Sequence, residues 1–158
     1  MTGGKLNHSD ALDFIFAGKA HVTFVNTRTG NRFTFKVKKK KKAKDEVAPD
    51  IFFVSVLTGT SEYTFIGSVI DSKYRHSKKS KIGIDAQSVK VFKFVLSQLL
   101  TNTLPDFIEV WHEGCCGRCG RRLTVPISIV TGFGPECVKL VAKTKQMDRE
   151  IKFHLLGI

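Results

Sequence analysis

The first 114 residues contain no cysteine, and all four in the chain (Cys115, Cys116, Cys119 and Cys137) fall within the last 44 positions. A disulfide framework would spread its cysteines to staple distant loops. Vicinal Cys115 and Cys116 also cannot bridge each other without strained geometry, so this crowding argues for reduced thiols around a metal. Long apolar runs are missing too. No window approaches the roughly 18 apolar residues of a membrane helix, and Met1 to Asp10 lacks the apolar stretch of a secretory signal. The expectation is a soluble intracellular protein with no membrane partner. Catalytic motifs are equally scarce. His8, His21, His76, His112 and His154 are scattered, and none lies in a nucleophile-elbow, H-E-x-x-H or phosphate-loop context. The reading is therefore not an enzyme, with no catalytic residues and no small-molecule substrate. Acidic residues are few, at 14 against 26 Lys and Arg, for a net charge of +12. Such a balance attracts nucleic acid or another acidic surface.

The chain nonetheless has what a folded core requires, with 42% hydrophobic residues and 13 Phe. Ser9 to Gly18 reads as a short helix with Ser9 as its cap. His21 to Asn26 alternates, turn residues follow, and Arg32 to Lys38 alternates again with Phe33, Phe35 and Val37 on one face, which is a β-hairpin. Ile51 to Leu57 and Tyr63 to Ile70 form a second hairpin. A short fifth strand is expected over 73–77. Asp85 can cap a helix that runs to about Thr101 and places Val89, Phe92, Val95, Leu96 and Leu99 on one apolar face. Phe107 to Trp111 reads as a further strand, and Val138 to Met147 as a helix. The fold class is α+β: an antiparallel sheet of two β-hairpins covered by a helix, then a small zinc-knuckle module with a C-terminal helix. Residues 1–105 are expected to form a basic α+β domain and 106–158 the zinc-binding module.

Cys116-x2-Cys119 followed by Cys137 is the motif that carries chemistry. A turn helped by Gly117 and Gly120 can point two thiolates and nearby amides at one ion. Structural Zn²⁺ takes four ligands, and the local candidates for the fourth are His112, at H-x3-C spacing, and Cys115. His112 is favoured because Cys115 would have to fold back beside its own neighbour. The expected set is His112, Cys116, Cys119 and Cys137, with Arg118, Arg121 and Arg122 able to balance the charge. Cys137 is placed in the first turn of a helix, where the dipole favours a thiolate.

Cys116, Cys119, Gly120, Arg121, Leu123, Thr124, Pro126, Ser128, Ile129, Gly132, Gly134, Pro135 and Cys137 follow the pattern C-x2-C-G-R-x-L-T-x-P-x-S-I…G-x-G-P-x-C. The stretch resembles a small zinc-binding domain of unknown function found in bacteriophage and prophage proteins. The resemblance implies structural zinc, phage origin and the cytoplasm of a host cell. It implies no reaction.

Residues 1–100 hold 18 basic and 8 acidic side chains, whereas residues 101–158 hold 8 and 6. Two clusters account for most of that excess: Lys38, Lys39, Lys40, Lys41 and Lys42 between the hairpins, and Lys73, Arg75, Lys78, Lys79 and Lys81 before the long helix. Phosphate contacts dominate the affinity of nucleic-acid-binding proteins, so these ten residues are the candidate DNA- or RNA-binding surface. The function expected is a zinc-stabilised, basic nucleic-acid-binding accessory protein encoded by a phage. The alternative is a protein-interaction module that inhibits an acidic host enzyme or defence complex. No recognition helix is identifiable, so no sequence specificity is expected.

Overall fold

The computed structural model describes residues 3–143. Its frame is a seven-stranded antiparallel sheet: β1 (Lys5–Leu6), β2 (Lys19–Asn26), β3 (Arg32–Lys39), β4 (Ile51–Leu57), β5 (Tyr63–Ile70), β6 (Lys73–His76) and β7 (Ile108–His112). The order across the sheet is β1-β7-β2-β3-β4-β5-β6. Helices α1 (His8–Ile15) and α2 (Gln87–Leu100) pack on one face. The α+β class and both expected hairpins are present, and β6 is the short fifth strand.

Period-2 alternation builds the covered face. Ala20, Val22 and Phe24 of β2 and Phe35 and Val37 of β3 are fully or almost fully buried. From α2, Val89, Phe92, Val95, Leu96 and Leu99 descend onto them, as their 3.6-residue spacing requires. The Phe92 ring lies 5.0 Å from Phe35, 6.2 Å from Phe24 and 5.6 Å from Tyr74, centroid to centroid. This aromatic cluster holds α2 to the middle of the sheet. Asn7 and Ala86, not Ser9 and Asp85, occupy the N-cap positions of the two helices, and neither makes a side-chain cap bond. Burial of one helix face, not capping, holds these helices in place.

The division expected at residue 105 falls between α2 and β7, yet the sheet takes strands from both sides of it. β7 pairs with β2 from Val22↔His112 to Asn26↔Ile108 and with β1 at Lys5↔Trp111 and Leu6↔Val110. Cys116, Leu123, Phe133 and Cys137 share one hydrophobic core with Val54 and Phe92. The knuckle is therefore an extension of the sheet's own core.

Phe14 of α1 makes that junction. Its ring is fully buried and lies 5.8 Å from both His112 and Phe133. A β-carbon added at Gly117 or at Gly132 would come within 2.7 and 2.8 Å of the Phe14 ring, so the knuckle backbone rests directly on it. Gly132 also needs its left-handed φ of 79° to end the short helix α3 (Pro126–Thr131). Phe14→Ala should cost about 3–5 kcal/mol, because the backbone at Gly117 and Gly132 that rests on the ring cannot easily move in to fill the space. Urea unfolding measures this. A loss below about 1 kcal/mol would mean that the site collapses and that Phe14 is not the junction.

Candidate metal centre and basic surface

After β7 the chain makes a tight hairpin. Cys116 N–H donates to Arg121 O (2.8 Å), Gly120 N–H to Cys116 O (2.9 Å) and Leu123 N–H to Gly114 O (2.8 Å). Two further bonds anchor it, from Lys19 N–H to Gly117 O (2.8 Å) and from Gly117 N–H to Gly132 O (3.0 Å). Residues 135–143 are helical and form α4, with Cys137 in the first turn. The remainder of the helix expected to Met147 lies outside the described residues. This framework brings the sulfurs of Cys116, Cys119 and Cys137 to within 4.8 Å of one another.

Two of these sulfurs feel opposite pulls from their surroundings. Burial raises the pKa of the Cys116 thiol, but the backbone N–H groups of Cys119, Gly134 and Arg118 reach its sulfur and outweigh burial, holding it below the usual thiol range. Cys137 is pushed up by burial and by its two cysteine neighbours, against the pull of Arg118. The guanidinium Nη1 of Arg118 lies 3.7 Å from the Cys137 sulfur. Three sulfurs this close could hold one metal ion, which would offset the mutual repulsion of their thiolates.

His112 is not in that cluster. It is fully buried at the end of β7. Its Nδ1 accepts the Gly114 N–H (3.0 Å) and its Nε2 donates to Ile129 O (2.5 Å). Both ring nitrogens are thus committed to the backbone, which fixes one neutral tautomer and leaves no lone pair for a metal. The H-x3-C spacing that suits a ligand suits this latch between β7 and α3 equally well. Cys115 also stands apart. Its backbone bridges to Arg122.

The two basic segments follow β3 and β6. Lys38 and Lys39 end β3, and Lys40, Lys41 and Lys42 continue into the following loop, all exposed. Asp50 pairs with Lys42 (2.8 Å) and Lys39 (3.5 Å) and so pins the loop across the start of β4. Lys73 and Arg75 are exposed on β6. The link bearing Lys78, Lys79 and Lys81 follows the edge of β5, held by Ser77 N–H to Ile66 O (2.9 Å) and Ser80 Oγ to Phe65 O (2.8 Å). A depression lined by Lys19, Lys39 to Lys42 and Arg118 joins the first segment to the knuckle. Lys19 gives no sign of this in the sequence, because it is isolated there and reaches the cluster only through β2–β3 pairing.

Residues 111–142 match a family of unknown function (DUF6011), a span that holds all four cysteines. No curated protein and no solved structure matches the chain significantly.

Cys116→Ser, Cys119→Ser or Cys137→Ser should each sharply reduce metal uptake, whereas Cys115→Ser should not. His112→Ala should leave the metal stoichiometry unchanged yet destabilise the fold by about 1–3 kcal/mol for each backbone group left unpaired. Elemental analysis together with urea melts separates the two effects. Loss of metal in His112→Ala without loss of stability would return His112 to the ligand set.

Proposed function

We propose that this chain is a phage-encoded, basic nucleic-acid-binding accessory protein, stabilised by one structural Zn²⁺ and acting in the host cytoplasm without catalysing a reaction. The observation that carries the proposal is the exposure of ten basic side chains, in two segments that follow β3 and β6. Long cationic chains at loop and edge positions can follow a phosphate backbone. Zinc is favoured for the knuckle because soft thiolates select it among available divalent ions, with three of its four positions filled by these cysteines. Cys116, Cys119 and Cys137 would hold the ion, and Arg118 would offset part of the thiolate charge. The ion would tie the hairpin after β7 to α4, where no strand pairing does so.

A second reading has its own support. Val125, Ile127 and Val130 around α3 are 41%, 66% and 68% exposed, which suits a protein-interaction module docking on an acidic host protein. A stoichiometric complex with one host protein that survives nuclease treatment would favour it.

Nucleic-acid binding should weaken steeply as salt rises, by about 0.9 in the slope of log affinity against log salt for each phosphate neutralised on duplex DNA. Neutralising Lys40 and Lys41, or Lys78 and Lys79, should flatten that slope without unfolding the protein, since these side chains are exposed. Titration at several salt concentrations reads both. No binding at low salt would reject the proposal, as would a slope that is unchanged with both pairs neutralised.

A further inference from the structure

The sheet face opposite α1 and α2 carries no helix among the described residues. Strand register assembles one row across it: Lys19↔Lys38, Lys38↔Phe53, Phe53↔Ser68 and Ser68↔Arg75. The next row along is His21↔Lys36, Lys36↔Ser55 and Ser55↔Phe65. Phe53 and Phe65 are each 38% exposed, and their rings meet edge to face with centroids 6.1 Å apart. The core does not account for them, because the buried aromatics lie on the other face. Lys19 directly opposite Lys38 is a like-charge cross-strand pair, which weakens a sheet. Two exposed rings and a repelling lysine pair on one bare face are costs that a purely structural sheet would avoid.

The same features suit one kind of ligand. An unpaired base offers an apolar π-face and its backbone offers phosphates, whereas a duplex hides the base faces in its stack. Cations flank the aromatic pair on both sides. Lys38 is opposite Phe53 on β3, Arg75 lies one strand beyond Ser68, and Lys78 and Lys79 belong to the link tied to the Phe65 carbonyl.

We infer that this open face is a platform for single-stranded nucleic acid, on which Phe53 and Phe65 stack unpaired bases while Lys38 and Arg75 take the adjoining phosphates. This rests on the nucleic-acid reading above and specifies its ligand as single-stranded. Neither ring reads a base edge, so the platform tolerates any sequence.

The test titrates the full chain with oligodeoxythymidine, oligouridine and a duplex of equal length. The wild type should prefer the single strands. Phe53→Ala and Phe65→Ala should each weaken single-strand binding by about 5- to 100-fold, with little change in salt slope. Lys38→Gln and Arg75→Gln should instead lower the slope by about 0.7 for each phosphate no longer neutralised. The fluorescence of a Phe53→Trp variant that also carries Trp111→Phe, so that position 53 holds its one tryptophan, should be quenched by oligodeoxythymidine, which decides the matter even if an alanine variant folds poorly. Single-strand binding with no quenching, or unaffected by removal of both rings, would overturn the platform while leaving the nucleic-acid reading standing. Failure of the wild type to bind any of the three at low salt would remove that reading and the platform together. A dimer that Phe53→Ala disperses would overturn the platform by assigning the face to a second copy of the chain.

Discussion

The packing of the Phe14 ring against the backbone at Gly117 and Gly132 is the constraint on which the rest of the molecule turns. It presses α1 against the knuckle on one side, and on the other the ring meets His112 at the end of β7 and Phe133 before α4. Removing the ring would leave the hairpin after β7 supported by a few backbone bonds and the thiolate cluster. With it in place, the three cysteines are carried by the same core that holds Phe92 to the sheet. A small metal site on an independent module would depend on its ion for nearly all of its stability. Here the strand that leads into the site is itself an internal strand of the sheet, so an ion would complete an arrangement that packing has largely set.

His112 illustrates how that packing divides the labour. A buried imidazole is stable only when both nitrogens find partners, and at this position the partners are the Gly114 amide and the Ile129 carbonyl. The ring thereby ties the end of β7 to α3, the short helix whose left-handed Gly132 closes onto Phe14. Thiolate chemistry is left to Cys116, Cys119 and Cys137, with Arg118 close enough to temper their charge. Arg118 also lines the depression that reaches Lys19 and the lysine run, so the knuckle and the basic surface share a border.

The two faces of the sheet meet opposite demands. The covered face is apolar and filled by α1 and α2. The open face gathers Lys19, Lys36, Lys38 and Arg75 around two exposed rings, and their mutual repulsion is tolerated because their side chains can reach solvent. Asp50 relieves part of that charge at Lys39 and Lys42.

Local chemistry was legible in the residues themselves. Strict alternation in β2 and β3 identified the first hairpin, the spacing of Val89, Phe92, Val95, Leu96 and Leu99 identified the buried face of α2, and the CxxC turn with Cys137 identified the thiolate cluster. Each is a short-range pattern set by backbone period or by the reach of one turn. What the tertiary structure alone decided is non-local. The place of β7 between β1 and β2 depends on pairing across more than eighty positions, and hydrophobic periodicity says that a strand exists without saying which strand it joins. The run Ile51–Leu57 is too uniformly apolar to show which of its residues faces outward. Register with β3 turns Phe53 out and Val54 in, and the irregularity in β5 pairing between Val54 and Ser55 brings Phe65 onto the face of Phe53. His112 lay at a spacing that suits a ligand and a buried latch alike, and although the Gly114 amide is a local partner, the Ile129 carbonyl that claims the other nitrogen comes within reach only once the chain has folded.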